Sequence, residues 1–535
     1  MFYNKEDIMK FKRIVSILLM AISIISFTAC DSKSPKNDEG QIATTAGGNI
    51  VVPITKEPDI INPAFTNIGE IQMVSNIIYS PIFSYGDGEI RTYLAESVDF
   101  KDNKEITIKL KDKLKWHDGE PITADDLEYT INLILDEKQE SPLREFLMIN
   151  EKPIKVEKVD ELTIKVTLPV ENVVFLYNLS KVVPIPKHVY EGEEIVVKSE
   201  KNKSPIGSGP FKFKEWIKGE TIVLEKYNDY YSGMPKADMI TIKVFPSEEM
   251  AEKAFNKGEL TLVKASPELY DKAYKGEELQ SYTFSEGKVN YIVFNQNVSY
   301  MQNMVFRRGL SYALDRKEMI GAAYGESGAE KVEEANSILI KEAEQYTEEN
   351  VETYEHDIEK AKALIKESGV ANVNKLKVGY NMDTSGHRDY AEAVKKQLKE
   401  IGIEVEIVPY ENVEFYNKVF SKGTECDLYI NDYALGLNPA DYRKMFETGS
   451  YYNQTGYTNF KVDNLWKVGE KELDADKRKA IYRDIQLQIA SDAPIYVIDY
   501  EQNLMVAQKN LDGVPEAKPK ANILFEDWSK LHLNK

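Results

Sequence analysis

The stretch from Leu376 to Pro409 constrains the fold more than any other part of this chain. Leu376 to Met382 reads as a strand, Tyr390 to Ile401 as a helix and Ile403 to Pro409 as a second strand. On the helix, Ala391, Val394, Leu398 and Ile401 recur at i, i+3, i+7 and i+10 and share one face, and Gly402 ends it. A strand–helix–strand unit of this kind joins parallel strands through a right-handed crossover. Ile106–Leu110 and Leu162–Leu168 instead alternate at period two, as half-buried strands do. From Ile50 onward strand-like and helix-like segments alternate, with no internal repeat and no low-complexity region, so the fold class is mixed α/β with several sheets.

The 535 residues suffice for three or four units at roughly 150 residues each. A hydrophobic share of 42% and a charged share of 29% exclude a mostly disordered chain and a multi-span membrane protein. Lys and Arg number 68 against 88 Asp and Glu, a net charge of −20, and no basic run exceeds a few residues. Such a chain repels a phosphate backbone, which argues against nucleic acid as a partner.

Its two cysteines, Cys30 and Cys426, are too few for a disulfide framework. Cys426 lies in Glu425–Ile430, which reads as a short strand entering a core with no His nearby, so it packs rather than reacts. Cys30 is different. Met9–Arg13 supplies a basic segment, and Ile14–Ala29 is an uninterrupted apolar and small-residue run, short of the about 20 residues a bilayer span takes. The run closes on Phe27-Thr28-Ala29-Cys30, which resembles the lipobox of bacterial lipoproteins, with Phe27 in the place of the usual Leu. That resemblance implies a signal peptide over residues 1–29, lipidation of Cys30 and a position on the extracytoplasmic face of the cell membrane. Met9 is an alternative start to Met1. Residues 30–48 are polar and Gly-containing, as expected of a flexible tether. Loss of residues 1–29 removes four basic and two acidic side chains and leaves about −22.

The acid pair Asp125-Asp126 invites a catalytic reading, but its spacing fits a capping box in which Thr123 starts a helix and Asp126 reaches back to it. The five histidines, His117, His188, His356, His387 and His532, are dispersed without the spacing of a metal site.

Several segments together resemble the extracellular solute-binding proteins of the oligopeptide/dipeptide/nickel importer class. They are Leu94–Ser97 with Leu114–Leu127; Pro205–Phe211 with Tyr227–Tyr231; Phe294-Asn295 with Phe306–Arg316, where Gly309 replaces the usual Ala; and Arg478, Tyr482 and Asp492–Ile495 near the end. The resemblance runs from about residue 48 to 515. It implies a two-lobed clamp like the periplasmic binding proteins (class II type), with an extra subdomain in lobe one. Lobe one would comprise residues 49–288 and 498–535, lobe two residues 289–497, and a ligand would be enclosed by hinge closure.

A receptor for varied peptides does best to bond their backbones along strand edges and to leave room for their side chains. By resemblance such edges fall at Lys56–Asn62, which holds Glu57 and Asp59, and at Asn431, Asp432, Tyr433 and Ala434. Ser208, between Gly207 and Gly209, and Asn295 complete the candidates drawn from the matching blocks. The family's peptide binders place an Asp in the lobe-two turn to meet the ligand's amine, and Leu435 occupies that position here. Either Asp432 or Asp441 takes over the role, or the ligand amine reaches solvent, or the ligand is not an ordinary peptide, because a buried ammonium facing Leu would be costly.

The expected function is therefore non-catalytic. A monomeric, lipid-anchored receptor, without cofactor, captures oligopeptides and passes them to an ABC permease whose ATPase subunits are separate chains. The alternatives are capture of nickel or another metal as a chelate, and sensing of a peptide pheromone. An extracellular hydrolase is the competing class. It would need a His-Glu-x-x-His, a Gly-x-Ser-x-Gly or a coherent nucleophile–base set, and the sequence offers none.

Overall fold

The computed structural model describes residues 47–534 apart from 67–68, 87–88, 435 and 521–522. The signal peptide, Cys30, most of the tether and Leu435 lie outside the described residues. Strand β1 (Asn49–Ile54) opens a sheet that the chain leaves and later rejoins. In between, β2 (Ala95–Lys101), β3 (Glu105–Leu110), β4 (Lys155–Lys158) and β5 (Thr163–Thr167) form an antiparallel sheet in the order β2-β3-β5-β4. Strands β6 (Phe211–Ile217), β7 (Thr221–Lys226) and β8 (Met239–Val244) then complete the first sheet in the order β1-β8-β7-β6, with β1 parallel to β8. The period-two expectations at Ile106–Leu110 and Leu162–Leu168 are realised as β3 and β5, whose Ile106, Ile108, Ile164 and Val166 point inward.

A third sheet carries β9 (Leu262–Lys264), β10 (Leu279–Phe294), β11 (Lys375–Asn381), β12 (Glu404–Tyr410), β13 (Leu428–Tyr433) and β14 (Ile495–Gln508), in the order β9-β14-β10-β13-β11-β12. The strand–helix–strand unit is present: β11 and β12 pair in parallel, and the helix between them spans His387–Glu400. That helix begins three residues before Tyr390, because Gly386 adopts φ +79° at its N-cap and lets the turn start earlier.

Three apolar cores follow from this topology. One draws on residues 50–262 and 505–531 and unites the first two sheets. A third draws only on residues 289–500, and a second lies mainly between helices and the face of the large sheet opposite it. Alternation along β10 does the sorting: Val289, Tyr291 and Val293 enter the third core, while Ile292 and Phe294 enter the second. Cys426 is buried in the third core just before β13, with Sγ 3.5 Å from the Tyr410 hydroxyl, and burial pushes its thiol pKa up.

Capping chemistry fixes the early helix as expected. Thr123 precedes Ala124–Leu135, its N–H donates to Asp126 Oδ2 at 2.9 Å, and Asp126 Oδ1 accepts from Lys187 N at 2.9 Å. The adjacent His117 is structural too. Gly207 N–H donates to its Nδ1 at 3.2 Å, leaving Nε2 to donate to Gly209 O at 3.0 Å. Burial lowers the ring's pKa to about 4.

Candidate functional site

Strands β10 and β14 are the long antiparallel pair in the middle of the large sheet, and they lose register at two levels, the wider break coming first along β10. Ser285 pairs with Gln502 and Val289 with Tyr500, so Glu286, Gly287 and Lys288 bulge opposite Glu501. Gly287 has φ +67°, a conformation open to glycine at little cost, and it turns the flanking Glu286 and Lys288 out of the ladder.

These side chains floor a cleft of about 460 Å³, within the range usual for small-ligand sites. One wall comes from Pro53–Lys56 at the end of β1, from Gly69, Glu70 and Met73 of the helix Gly69–Ile78, and from Glu248 and Leu262–Lys264. Asp383, Thr384 and Ser385 form the opposite wall. They follow β11 at the carboxyl ends of parallel strands, where open α/β sheets leave a crevice. Asn503, Met505, Lys520 and Leu524 complete the lining.

The cleft is heavily charged, and most of the charge is matched internally. Glu248 lies 3.3 Å from Lys264 Nζ and Glu501 3.6 Å from Lys288 Nζ. Glu70 accepts from the N–H groups of Thr55 and Lys56, and Asp383 from the N–H of Asn412. Burial would lower the Lys288 pKa, but Glu501, Asp432 and Glu286 together raise it well above the ordinary value. For Glu286 burial dominates: its pKa is raised despite Lys288 and Lys264 nearby.

Beneath this floor a polar row crosses three strands on the face covered by the helix His387–Glu400. Asp432 on β13, Asn290 on β10 and Asp499 on β14 are successive register partners. Asp499 accepts from Tyr390 at 2.7 Å, Tyr324 at 3.0 Å and Asn290 at 3.1 Å, and burial raises its pKa to about 7. Asp432 lies 3.4 Å from His387 Nε2. Burial would raise the Asp432 pKa, but the His387 contact and Lys288 outweigh it and hold the carboxyl below its ordinary value.

The remaining residues expected at the site fall elsewhere. Glu57 accepts from Trp216 Nε1 and Gly219 N, both at 2.8 Å, and Asp59 is exposed, 3.5 Å from Lys218. The segment Lys56–Asn62 is not built as a strand: β1 ends at Ile54, and the Lys56 N–H that would continue an edge is taken by Glu70. Ser208 is buried, its N–H donating to Ile78 O and its Oγ accepting from Ser80 N, both at 3.0 Å. The glycine-rich loop therefore closes a helix end. Asn295 is buried and donates to the carbonyls of Gly423 and Cys426 at 2.8 Å. Asn431 donates to the Tyr291 hydroxyl and Gln454, and Tyr433 donates to Ile338 O. Ala434 is exposed after β13. Asp441 is held near a pKa of about 6 by burial, partly offset by Lys181. Asp432 alone adjoins the cleft floor, through its interaction with Lys288. Glu286, Lys288, Glu501 and Thr384 were not read from the sequence; the one local signal was an acid–glycine–base triplet inside a strand.

Fold and cleft together define a two-lobed α/β clamp for a solute, with an additional sheet on the first lobe. The chain belongs to the bacterial extracellular solute-binding proteins, family 5, whose model matches residues 89–454. It is similar to AppA of Clostridium difficile (54% identity, 91% of this chain and 100% of that one, TM-score 0.84). It also resembles the ABC transporter substrate binding protein CtaP of Listeria monocytogenes (38% identity, 92% and 100% covered, TM-score 0.87). The oligopeptide-binding protein AppA of Bacillus subtilis, solved in complex with a nonapeptide, matches at 26% identity over 92% of this chain and 100% of its own, with TM-score 0.72. Among the described residues, no helix is long and apolar enough to cross a membrane.

Proposed function

We propose that this protein captures oligopeptides in the cleft floored by Glu286, Lys288 and Glu501 and delivers them to an ABC permease driven by separate ATPase subunits. The observation that carries the reading is the cleft itself: one site lined by segments spread from Pro53 to Leu524, with the two long strands as its floor. The peptide class rests on the Bacillus subtilis relative, whose name and bound nonapeptide identify its cargo. In this reading the protein is a monomer without catalytic function, held at the outer face of the membrane by lipid on Cys30. The lobes comprise residues 49–288 with 498–535, and 289–497. The register break at Glu286–Lys288 lies at this boundary and supplies a place for the strands to bend.

Native mass spectrometry of the chain from Asp31 onward, purified from cells grown in rich medium, tests the reading. A ladder of adducts that elutes as mixed peptides after denaturation supports it. A single adduct with a metal isotope pattern would replace it with capture of a metal chelate.

A further inference from the structure

Five acids line the cleft, and four of them already have partners that neutralise or cap them. Glu70 accepts two backbone N–H groups and the Thr55 hydroxyl; Asp383 accepts a backbone N–H at the start of the helix Asn412–Phe420. Glu248 and Glu501 have lysines at 3.3 and 3.6 Å. Asp432, just below, faces His387 and Lys288. Glu286 differs from all of these. Its carboxylate accepts from a neutral amide, Asn503 Nδ2, and among the described residues no cation comes within 4 Å of it. Lys264 and Lys288 act on it from farther away, each already spoken for by its own closer acid.

A carboxylate withdrawn from water with one neutral donor is under-compensated, and an incoming cation with hydrogens to donate is the partner that restores the balance. Glu286 also stands on the bulge where β10 and β14 lose register, next to the boundary between the two lobes. We propose that Glu286 is the residue that receives the ammonium group of the ligand, so that the cleft selects cargo carrying a free amine. The inference rests on the peptide reading above. It assigns to a cleft-floor acid the role that neither Asp432, with its charge matched by His387 and Lys288, nor the Leu435 position supplies.

The test uses a casein peptone and the same peptone acetylated with acetic anhydride, mixed in equal amounts and offered to ligand-stripped protein. Bound peptides are then eluted and counted by mass spectrometry. Wild type should retain free-amine peptides about tenfold over acetylated ones, the fold-change of a modest charge pair. Glu286→Gln, which keeps the shape and the bond from Asn503, should bring that preference to within about twofold while still binding peptide. Glu286→Asp, which keeps the charge, and Glu359→Gln, which removes an exposed acid paired with Lys362 outside the cleft, should both retain it. An undiminished preference in Glu286→Gln overturns the role of Glu286 and leaves peptide capture standing. Equal retention of both pools by wild type does the same. If wild type retains neither pool, the peptide reading itself fails and the inference falls with it. Should Glu286→Gln fail to fold, Glu286→Met, of similar length and without charge, should lose the preference, and its retention there would equally overturn the role.

Discussion

His387 Nε2 lies 3.4 Å from Asp432 Oδ2, at a point where the helix His387–Glu400 meets β13 and both groups are shielded from solvent. With Lys288 close by, this contact makes Asp432 an internally matched acid. The Asp432→Ala variant should therefore lose stability, by about 3 kcal/mol as is usual when one partner of a buried pair is removed. It should keep its discrimination between free-amine and acetylated peptides. Urea denaturation alongside peptide retention checks both parts, and a loss of discrimination with unchanged stability would return the ligand-amine role to Asp432.

Asp499 gives a pH dependence of known sign. Burial raises its pKa to about 7, whereas an unfolded-chain Asp titrates near 3.9, so the folded state holds a proton that the unfolded chain has released. Its contribution to stability is full below about pH 4 and is lost as pH rises through about 7. Between pH 4.5 and 7.5, Asp499→Asn should recover stability relative to wild type by a few kcal/mol. Parallel urea titrations at the two pH values measure this; a pH-independent difference would mean that Asp499 is ionised in the fold.

Arg307 donates Nε to Ala493 O at 2.8 Å, one terminal nitrogen to Met301 O at 2.7 Å and the other to Asp492 O at 2.5 Å. It thereby clamps Ala493, at φ +46°, just before β14 begins. Lysine has the charge without the planar fork. Arg307→Lys should cost about 2–4 kcal/mol by leaving buried carbonyls without donors, read as a lower denaturation midpoint with the slope unchanged.

At Gly207 a β-carbon would stand 2.1 Å from Ile78 O. Gly207→Ala must push the loop off the end of the helix Gly69–Ile78, whose other end reaches the cleft at Gly69 and Glu70. The expected cost is about 3 kcal/mol, with weaker peptide binding as the wall shifts. Gly402→Ala, where the space is open and φ is +81°, should cost only about 1–2 kcal/mol and leave binding unchanged.

The recurrence of Ala391, Val394, Leu398 and Ile401, the alternation in β3 and β5, and the Thr123–Asp126 spacing each specify an element from the sequence alone. They do so because the interactions lie within one turn or between adjacent faces. The ordered motif blocks likewise identify the family before any coordinate is known. The binding surface is another matter. Glu57, Ser208, Asn295, Asn431 and Tyr433 carry polar groups suited to a ligand, yet the fold spends those groups on Trp216, Ile78, Gly423, Gln454 and Ile338. Glu248, Asp383 and Glu501 carry no mark in the sequence, and Glu286 only its place in the Glu286-Gly287-Lys288 triplet, since a carboxylate's role depends on which cations and donors come within a few ångströms of it. Those neighbours arrive from segments up to 217 residues away, as Asn503 does for Glu286. Local chemistry thus determined the elements and the family, whereas the division of acids into matched and unmatched, and with it the site, was decided only when the long strands and their coverings came together.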